Sequence, residues 1–323
     1  MKAILIILIS VSILLILFWK FRHKLQLTLN RDLITLYTPK VFTSSHNRIY
    51  IHDCITNQGF EYAKSKKIII AGLVRDVLKN LPMIEKRAEK IGALFKDYRV
   101  LIVENDSKDD TRKYLLDWVK RNPKIKILGC EINIKKCNLG LEKTKGHLVY
   151  RNRIEKMAFL RNKYLEEIRQ NYANFDFVAV WDMDIVGSIY LDGIANSMGY
   201  FKRHPIDGMC AYGIYKWGPL KLFYDTYAFL EPGDTFHIDQ KILHDIKKGL
   251  GTQYNVGDFP VKVVSCFSGF TIYKIQSIIP AHIKYGTSLQ EDDNLECEHS
   301  YFNKNLQNLY MNPSMVHLVL LNK

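Results

Sequence analysis

The stretch Phe177–Gly193, FVAVWDMDIVGSIYLDG, decides the fold. Val178, Ala179, Val180 and Trp181 form a short unbroken apolar run, preceded by Asn174 and followed by Gly187. That pattern predicts a buried strand, central and parallel in its sheet. The strand ends in Asp182-Met183-Asp184. In extended chain, residues i and i+2 project to the same side, about 6–7 Å apart. Two unpaired carboxylates at that spacing repel, and one has to take up a proton. A hard divalent cation such as Mn2+ or Mg2+, held by oxygen ligands, removes the conflict. A single Asp after a strand is ordinarily a turn residue. A pair at the carboxyl end of a buried strand lies where open α/β sheets bind ligands.

Outward from this stretch, strands and helices alternate. Ile68–Leu73 (IIIAGL), Arg99–Val103 (RVLIV) and Lys124–Leu128 read as strands. Asn80–Phe95 reads as a helix with Leu81, Ile84, Ala88, Ile91 and Leu94 or Phe95 on one face. Thr111–Arg121, with Tyr114, Leu115 and Trp118 inward, and Arg153–Asn171 are two further helices. The alternation predicts an α/β fold with a mostly parallel sheet and right-handed crossovers. Beyond residue 187 short strands mix with aromatic-rich loops, and no internal repeat or low-complexity segment occurs.

The chain has 323 residues and a net charge of +13. The basic residues are dispersed and no nucleic-acid-binding motif is present, so nucleic acid is not an expected partner. Six cysteines occur without a Cys-x-x-Cys pair, which leaves a zinc site without support and one disulfide open. Residues 3–19, AILIILISVSILLILFW, carry no charge, and Lys20, Arg22 and Lys24 follow them with no small-residue cleavage site. We read residues 1–25 as an uncleaved single-pass membrane anchor and 26–66 as a stem. The charges on the two flanks lean toward a cytosolic catalytic domain.

Polar groups gather at three strand ends. The first strand closes in Gly72-Leu73-Val74-Arg75-Asp76, and the second in Glu104-Asn105-Asp106-Ser107 followed by Lys108-Asp109-Asp110-Thr111. Helix capping accounts for Asp109 or Asp110. It leaves Glu104 and Asn105, which can hydrogen-bond a nucleobase or ribose. Arg153, Met157 and Arg161 recur every four residues along one helical stripe, and arginine suits forked contact with a diphosphate. Gly72, Arg75, Glu104, Asn105, Ser107, Arg153, Arg161 and Asp182 are therefore the candidate nucleotide-binding set.

These blocks, in order IIIAGLVRD, VLIVENDSKDDTRKYLLDW, RNRIEKMAFLRNKYL, FDFVAVWDMDIV, GMCAYG, FYDTYAFL and PVKVVSCFSGFTIYK, resemble the cryptococcal-type α-1,3-mannosyltransferase family. They are also similar to GT-A-fold glycosyltransferases of large DNA viruses and bacteria. The resemblance runs from about residue 67 to 320. VENDSKDDT resembles the VDDGSTDGT nucleotide-binding element of GT-A enzymes, and departs from it where Glu104 and Asn105 replace the paired acids. The resemblance implies a GT-A-like domain over 67–323, with a nucleotide-sugar half (67–187) and an acceptor half (188–323). It implies a nucleotide-diphosphate sugar as donor, a glycan or other hydroxyl as acceptor, and a divalent metal, Mn2+ before Mg2+. Asp182, Asp184 and His317 would hold the metal, Gly269 of the Ser268-Gly269-Phe270 loop would lie against the donor sugar, and Glu298 or Glu296 would act at the acceptor hydroxyl. Tyr224 and Asp225 would line the acceptor side. Two other readings compete: a sugar nucleotidyltransferase, for which the GLVRD turn lacks a glycine-rich basic loop, and a membrane-anchored binding protein with a decayed site.

Removal of residues 1–25 is expected to give a protein that stays in solution without detergent and still binds nucleoside diphosphate. Failure of that truncated chain to fold in any host would make the segment part of the core.

Overall fold

The computed structural model describes residues 38, 48–129, 147–185, 187–217, 220–234, 249–251, 253–288 and 296–319. The anchor read from residues 3–19 lies outside them. Among the described residues no helix is long and apolar enough to cross a membrane.

Helix α1 (Ile49–Ala63) precedes β1 (Lys67–Val74), α2 (Leu81–Gly92), β2 (Asp97–Glu104), α3 (Thr111–Arg121) and β3 (Ile125–Leu128). Helix α4 (His147–Asn171), β4 (Phe177–Asp182), α5 (Leu191–Arg203), β5 (Gly208–Trp217) and β6 (Leu220–Tyr224) follow. The chain closes with β7 (Val261–Lys262), β8 (Phe270–Lys274), the short α6 (Ile275–Ile278), α7 (Glu298–Asn303) and β9 (Leu309–Val319). Their sheet has the order β3-β2-β1-β4-β8-β5-β9-β7, with β6 paired to β5.

Strands β1 to β4 are parallel, as the sequence predicts. Strand β8 runs antiparallel between β4 and β5, and β5 pairs in parallel with β9. The inner strands β1, β2 and β4 carry the continuous apolar runs Ile68–Leu73, Val100–Val103 and Phe177–Trp181, since both faces are covered there. Ile69, Ala71, Leu101, Val103, Val178 and Val180 belong to one core layer. Their alternates Ile68, Ile70, Val100, Ile102, Ala179 and Trp181 belong to the other. Helix α2 buries Leu81, Ile84, Ala88 and Ile91, and α3 buries Leu115 and Trp118, the faces read from periodicity.

The stretch read as a stem contains a docked element. Helix α1 buries Ile55, Thr56, Gly59 and Ala63, so the packed domain begins upstream of residue 67. The contact with α5 is made through small residues: a Cβ on Gly59 would lie 1.6 Å from the Ala195 carbonyl oxygen. Asn196 Nδ2 donates to Thr56 Oγ1 at 3.0 Å and to the His52 carbonyl at 3.4 Å. Ahead of α1, Thr38 donates through its backbone N–H (2.7 Å) and hydroxyl (2.9 Å) to Asp192 in the first turn of α5.

Two devices close the second half. Cys210 of β5 and Cys266 form a disulfide with a Cα–Cα distance of 6.1 Å, which answers the cysteine question the sequence left open. Leu230 and Ser265 bridge each other, with Leu230 N–H donating to Ser265 O at 2.9 Å and Val264 N–H to Leu230 O at 2.8 Å. The long excursion between them is thus shut at its neck.

Gly59→Val is expected to force α1 away from α5, since the obstacle is backbone. Overpacking of this kind costs about 1–3 kcal/mol. The check is thermal or denaturant unfolding; an unchanged midpoint would mean α1 is not part of the cooperative domain.

Candidate active site at the carboxyl edge of the sheet

Strand β4 delivers Asp182 as its last residue and Asp184 two positions on, and their surroundings differ. Asp184 is exposed, whereas the Asp182 side chain is 23% exposed and its Oδ1 accepts from Arg161 Nη2 at 2.9 Å. The same guanidinium donates through Nε to Glu298 Oε1 at 3.2 Å. Arg161 is itself only 2% exposed at its side chain, and its charge lies 5.1 Å from the Phe267 ring centroid and 5.9 Å from that of Tyr285. One buried cation therefore joins the end of β4 to the first residue of α7. Burial pushes the Asp182 carboxyl up to about 6, Arg161 opposes the rise and Asp184 adds to it.

Asp225, just past β6, faces the same group. Burial lifts it to about 7, with Asp182 and Glu298 adding to the rise. Its Oδ1 accepts from Tyr227 N–H at 3.1 Å. Burial and the neighbouring Asp225, Asp182 and Asp184 raise the Tyr224 phenol as well, while Arg153 lowers it. The predicted acceptor residues Tyr224 and Asp225 thus share one electrostatic neighbourhood with both acids of β4, Glu298 and Arg153.

Strand β8 approaches from the opposite direction, so its leading loop meets the end of β4. The Asp182 N–H donates to the Gly269 carbonyl at 2.9 Å. Ser268 and Gly269 both have left-handed backbone, at φ +54° and +75°. Glycine at 269 answers two constraints: that φ, and the 2.6 Å and 2.8 Å at which a Cβ would meet Ile185 Cδ1 and His317 Cε1. Ser268 is buried with a hydroxyl that has no partner among the described residues.

Several expected site residues have structural work instead. His317 packs against Gly269, and its Nδ1 lies 2.8 Å from the Ser268 carbonyl. Burial depresses its pKa to about 4. It does not join Asp182 and Asp184 in a ligand cluster, and no group of three or more His, Cys, Asp or Glu side chains is arranged to hold a metal among the described residues. Gly72 allows close strand packing, since a Cβ would lie 2.6 Å from the Trp181 carbonyl oxygen. Glu104 is spent on its own loop: Oε1 accepts from Ser107 N–H at 2.6 Å, and Oε2 accepts from Arg112 Nε at 2.6 Å. Ser107 Oγ accepts from Asp76 N–H at 3.0 Å, and Asp76 Oδ1 from Lys108 N–H at 2.6 Å. Asp109 takes the Thr111 N–H at 3.0 Å and the Leu78 N–H at 3.2 Å, while Asp110 stands at the N-cap of α3 without a side-chain cap bond. Glu296 is held by Ser288 Oγ at 2.6 Å and Lys304 Nζ at 3.0 Å, outside the Arg161 group.

Asn105 has a buried Oδ1 with no partner among the described residues, and Arg75 and Arg153 are exposed at the rim, Arg75 Nε lying 3.4 Å from Asp76 Oδ2. Lys156, one turn beyond Arg153, completes the basic rim; burial and Arg75 lower its pKa and Asp106 raises it. Sequence reading missed Lys156, although its i+3 spacing from Arg153 puts it on the same helical flank. It also missed Phe267 and Tyr285, which enclose the guanidinium of Arg161; their distance along the chain gave no signal.

The donor set fits a hard divalent cation only in part. Asp184 presents an exposed carboxylate, Asp182 keeps one oxygen outside its bond to Arg161, and the excess of carboxylates over the one buried guanidinium favours a cation. A magnesium-like ion is commonly held by one or two carboxylates with substrate phosphates completing its shell, so a pre-assembled trio is not required.

In comparison with solved structures, the chain is similar to TarS 1–349 of S. aureus in complex with UDP-GlcNAc, at 14% identity and a TM-score of 0.45, over 80% of this chain and 60% of that one. It is similar to the mannosyltransferase PcManGT of Pyrobaculum calidifontis in complex with GDP-Man and Mn2+, at 11% identity and a TM-score of 0.45, over 86% and 68% of the two chains. No curated protein matches the chain. The family model described as Cryptococcal mannosyltransferase 1 matches residues 67–303, which span the ends of β1, β2 and β4 and the start of β8. The chain spans less than two thirds of the TarS chain, and it belongs to that mannosyltransferase family.

Proposed function

We propose that the chain is a glycosyltransferase that moves a mannosyl or related hexosyl group from a nucleoside-diphosphate sugar to a hydroxyl of a glycan or other acceptor, with a divalent cation, Mn2+ before Mg2+, at Asp184. The observation that carries the reading is the unequal fate of the two acids of β4. Arg161 holds Asp182 in place, and Asp184 is left exposed at the strand's carboxyl end.

Each residue then has a task. Asn105, just past β2, is placed for the base or ribose, and Arg75, Arg153 and Lys156 line the rim where a diphosphate would be neutralised. Asp184, with the second oxygen of Asp182, holds the cation. When bound there, a divalent ion supplies Lewis-acid stabilisation of charge on the departing diphosphate. The Ser268–Gly269 turn sits beside Asp182 and would lie against the donor sugar. Tyr224, Asp225 and Glu298 face the acceptor. Arg161 acts as a positioning residue: it fixes Asp182 on the donor side and Glu298 on the acceptor side with one rigid fork. The Cys210–Cys266 disulfide favours an oxidising compartment for this domain, against the lean of the charges flanking residues 3–19.

Asp184→Ala is expected to remove the Mn2+-dependent gain in nucleoside-diphosphate affinity, on the order of tenfold or 1.4 kcal/mol, without lowering the unfolding midpoint. Calorimetry with and without Mn2+ measures it, and an unchanged Mn2+ dependence would take Asp184 out of the site.

For Arg161→Lys the charge survives but the fork does not. The expected outcome is a folded protein whose kcat falls by about tenfold or more, the equivalent of a lost charged hydrogen bond of about 1.5–3 kcal/mol, with nucleoside-diphosphate affinity nearly kept. A ten- to hundredfold drop in that affinity, with free nucleoside unaffected, would mean instead that Arg161 contacts the diphosphate directly.

A further inference from the structure

One apolar patch on the described surface has no task in the reaction. Ile49, Tyr50 and Ile51 open helix α1 and are 40%, 89% and 47% exposed. Phe259, ahead of β7, is 48% exposed, and the Arg48 guanidinium sits 4.5 Å from its ring centroid and 4.0 Å from Asp258. Arg48, just ahead of α1, thus ties Phe259 to the corner where the exposed first turn of the helix begins, whereas the core-facing residues of α1 begin only at Ile55.

Where the chain enters the fold supplies the second observation. Thr38 is tied to Asp192 in the first turn of α5, and that helix begins nine residues after β4 ends. His52 and Thr56 of α1 lie beside Asn196, and Gln58 accepts from Arg203 at 2.7 Å, so both helices start toward the carboxyl edge of the sheet. The entry point, the exposed first turn of α1 and the catalytic edge are therefore on one side of the molecule. Eighteen residues separate Trp19 from Thr38, a reach of about 60 Å at full extension.

We propose that this corner, Arg48 to Ile51 with Phe259, rests in the interfacial layer of the membrane that residues 3–19 anchor, and so turns the catalytic edge toward the bilayer. Tyrosine and arginine suit that layer, having apolar bodies and polar ends, and isoleucine and phenylalanine enter the acyl boundary. The inference rests on the anchor reading of residues 3–19.

The experiment uses the full chain in phosphatidylcholine vesicles, on a Cys54→Ser background that removes the exposed thiol. An environment-sensitive fluorophore is placed at Tyr50→Cys, at Phe259→Cys and, as the distant reference, at Leu116→Cys on α3 near the β3 end of the sheet. Labelling of the background protein alone is subtracted. Flotation of the vesicles reports the anchor separately. Quenching by lipids brominated on the acyl chain is expected to be several-fold stronger at 50 and 259 than at 116. Floating protein with equal quenching at all three positions would overturn the docking and leave the anchor standing. A blue-shifted probe at 50 that brominated lipid does not quench would overturn it in favour of a second copy or another protein on this face. Protein that does not float would overturn anchor and docking together.

Discussion

A single buried guanidinium holds the two halves of the site in register. Arg161 lies beneath the aromatic rings of Phe267 and Tyr285 and bonds one carboxylate from β4 and one from α7. Taking such a cation out of water costs several kcal/mol, which only well-aligned carboxylates recover. The reverse also holds for Asp182, whose carboxyl burial pushes up to about 6 even with Arg161 opposing the rise. The dependence is unequal: removing Arg161 leaves two carboxylates without their counter-charge, whereas loss of either acid still leaves the guanidinium one partner. That interdependence fixes where the acids stand before any ligand arrives.

The sheet explains how chain segments far apart reach this point. Four parallel strands bring their carboxyl ends to one edge, and β8 joins them running the other way. An antiparallel strand presents its beginning where its neighbours present their ends. The Ser268–Gly269 turn therefore meets Asp182 directly, bonded backbone to backbone, with no long loop reaching across.

The first four strands were legible because continuous apolar runs bounded by polar residues have few other readings. Asp182 and Asp184 were legible for the same reason, being acids where an apolar run stops. Helix α1 was not, because its contact with α5 is built from Gly59, Ala195 and Gly199 rather than from a stripe of large side chains. Arg161 was read as facing a diphosphate because its partners lie 21 and 137 positions away, beyond what periodicity can reach. Glu104 and Ser107 resembled ligand contacts for a related reason. Acids and hydroxyls after a strand look alike whether they bind a nucleotide or stitch their own loop, and here the stitching partners are Arg112 and Asp76.

The neck between Leu230 and Ser265 separates two kinds of sequence freedom. Chain entering and leaving the excursion does so at a fixed spacing, and Cys266, next after the neck, is fastened to β5. Entropy of closure grows only slowly with loop length, about 0.6 kcal/mol for each doubling. Tyr254, Val256 and Gly257 are themselves tied back to the sheet, so this tolerance is confined to the chain ahead of Gly249, where a change of length would leave the Ser268–Gly269 turn in place. Within that limit the neck is a graft point: length can change beyond it while the edge of the sheet keeps its geometry.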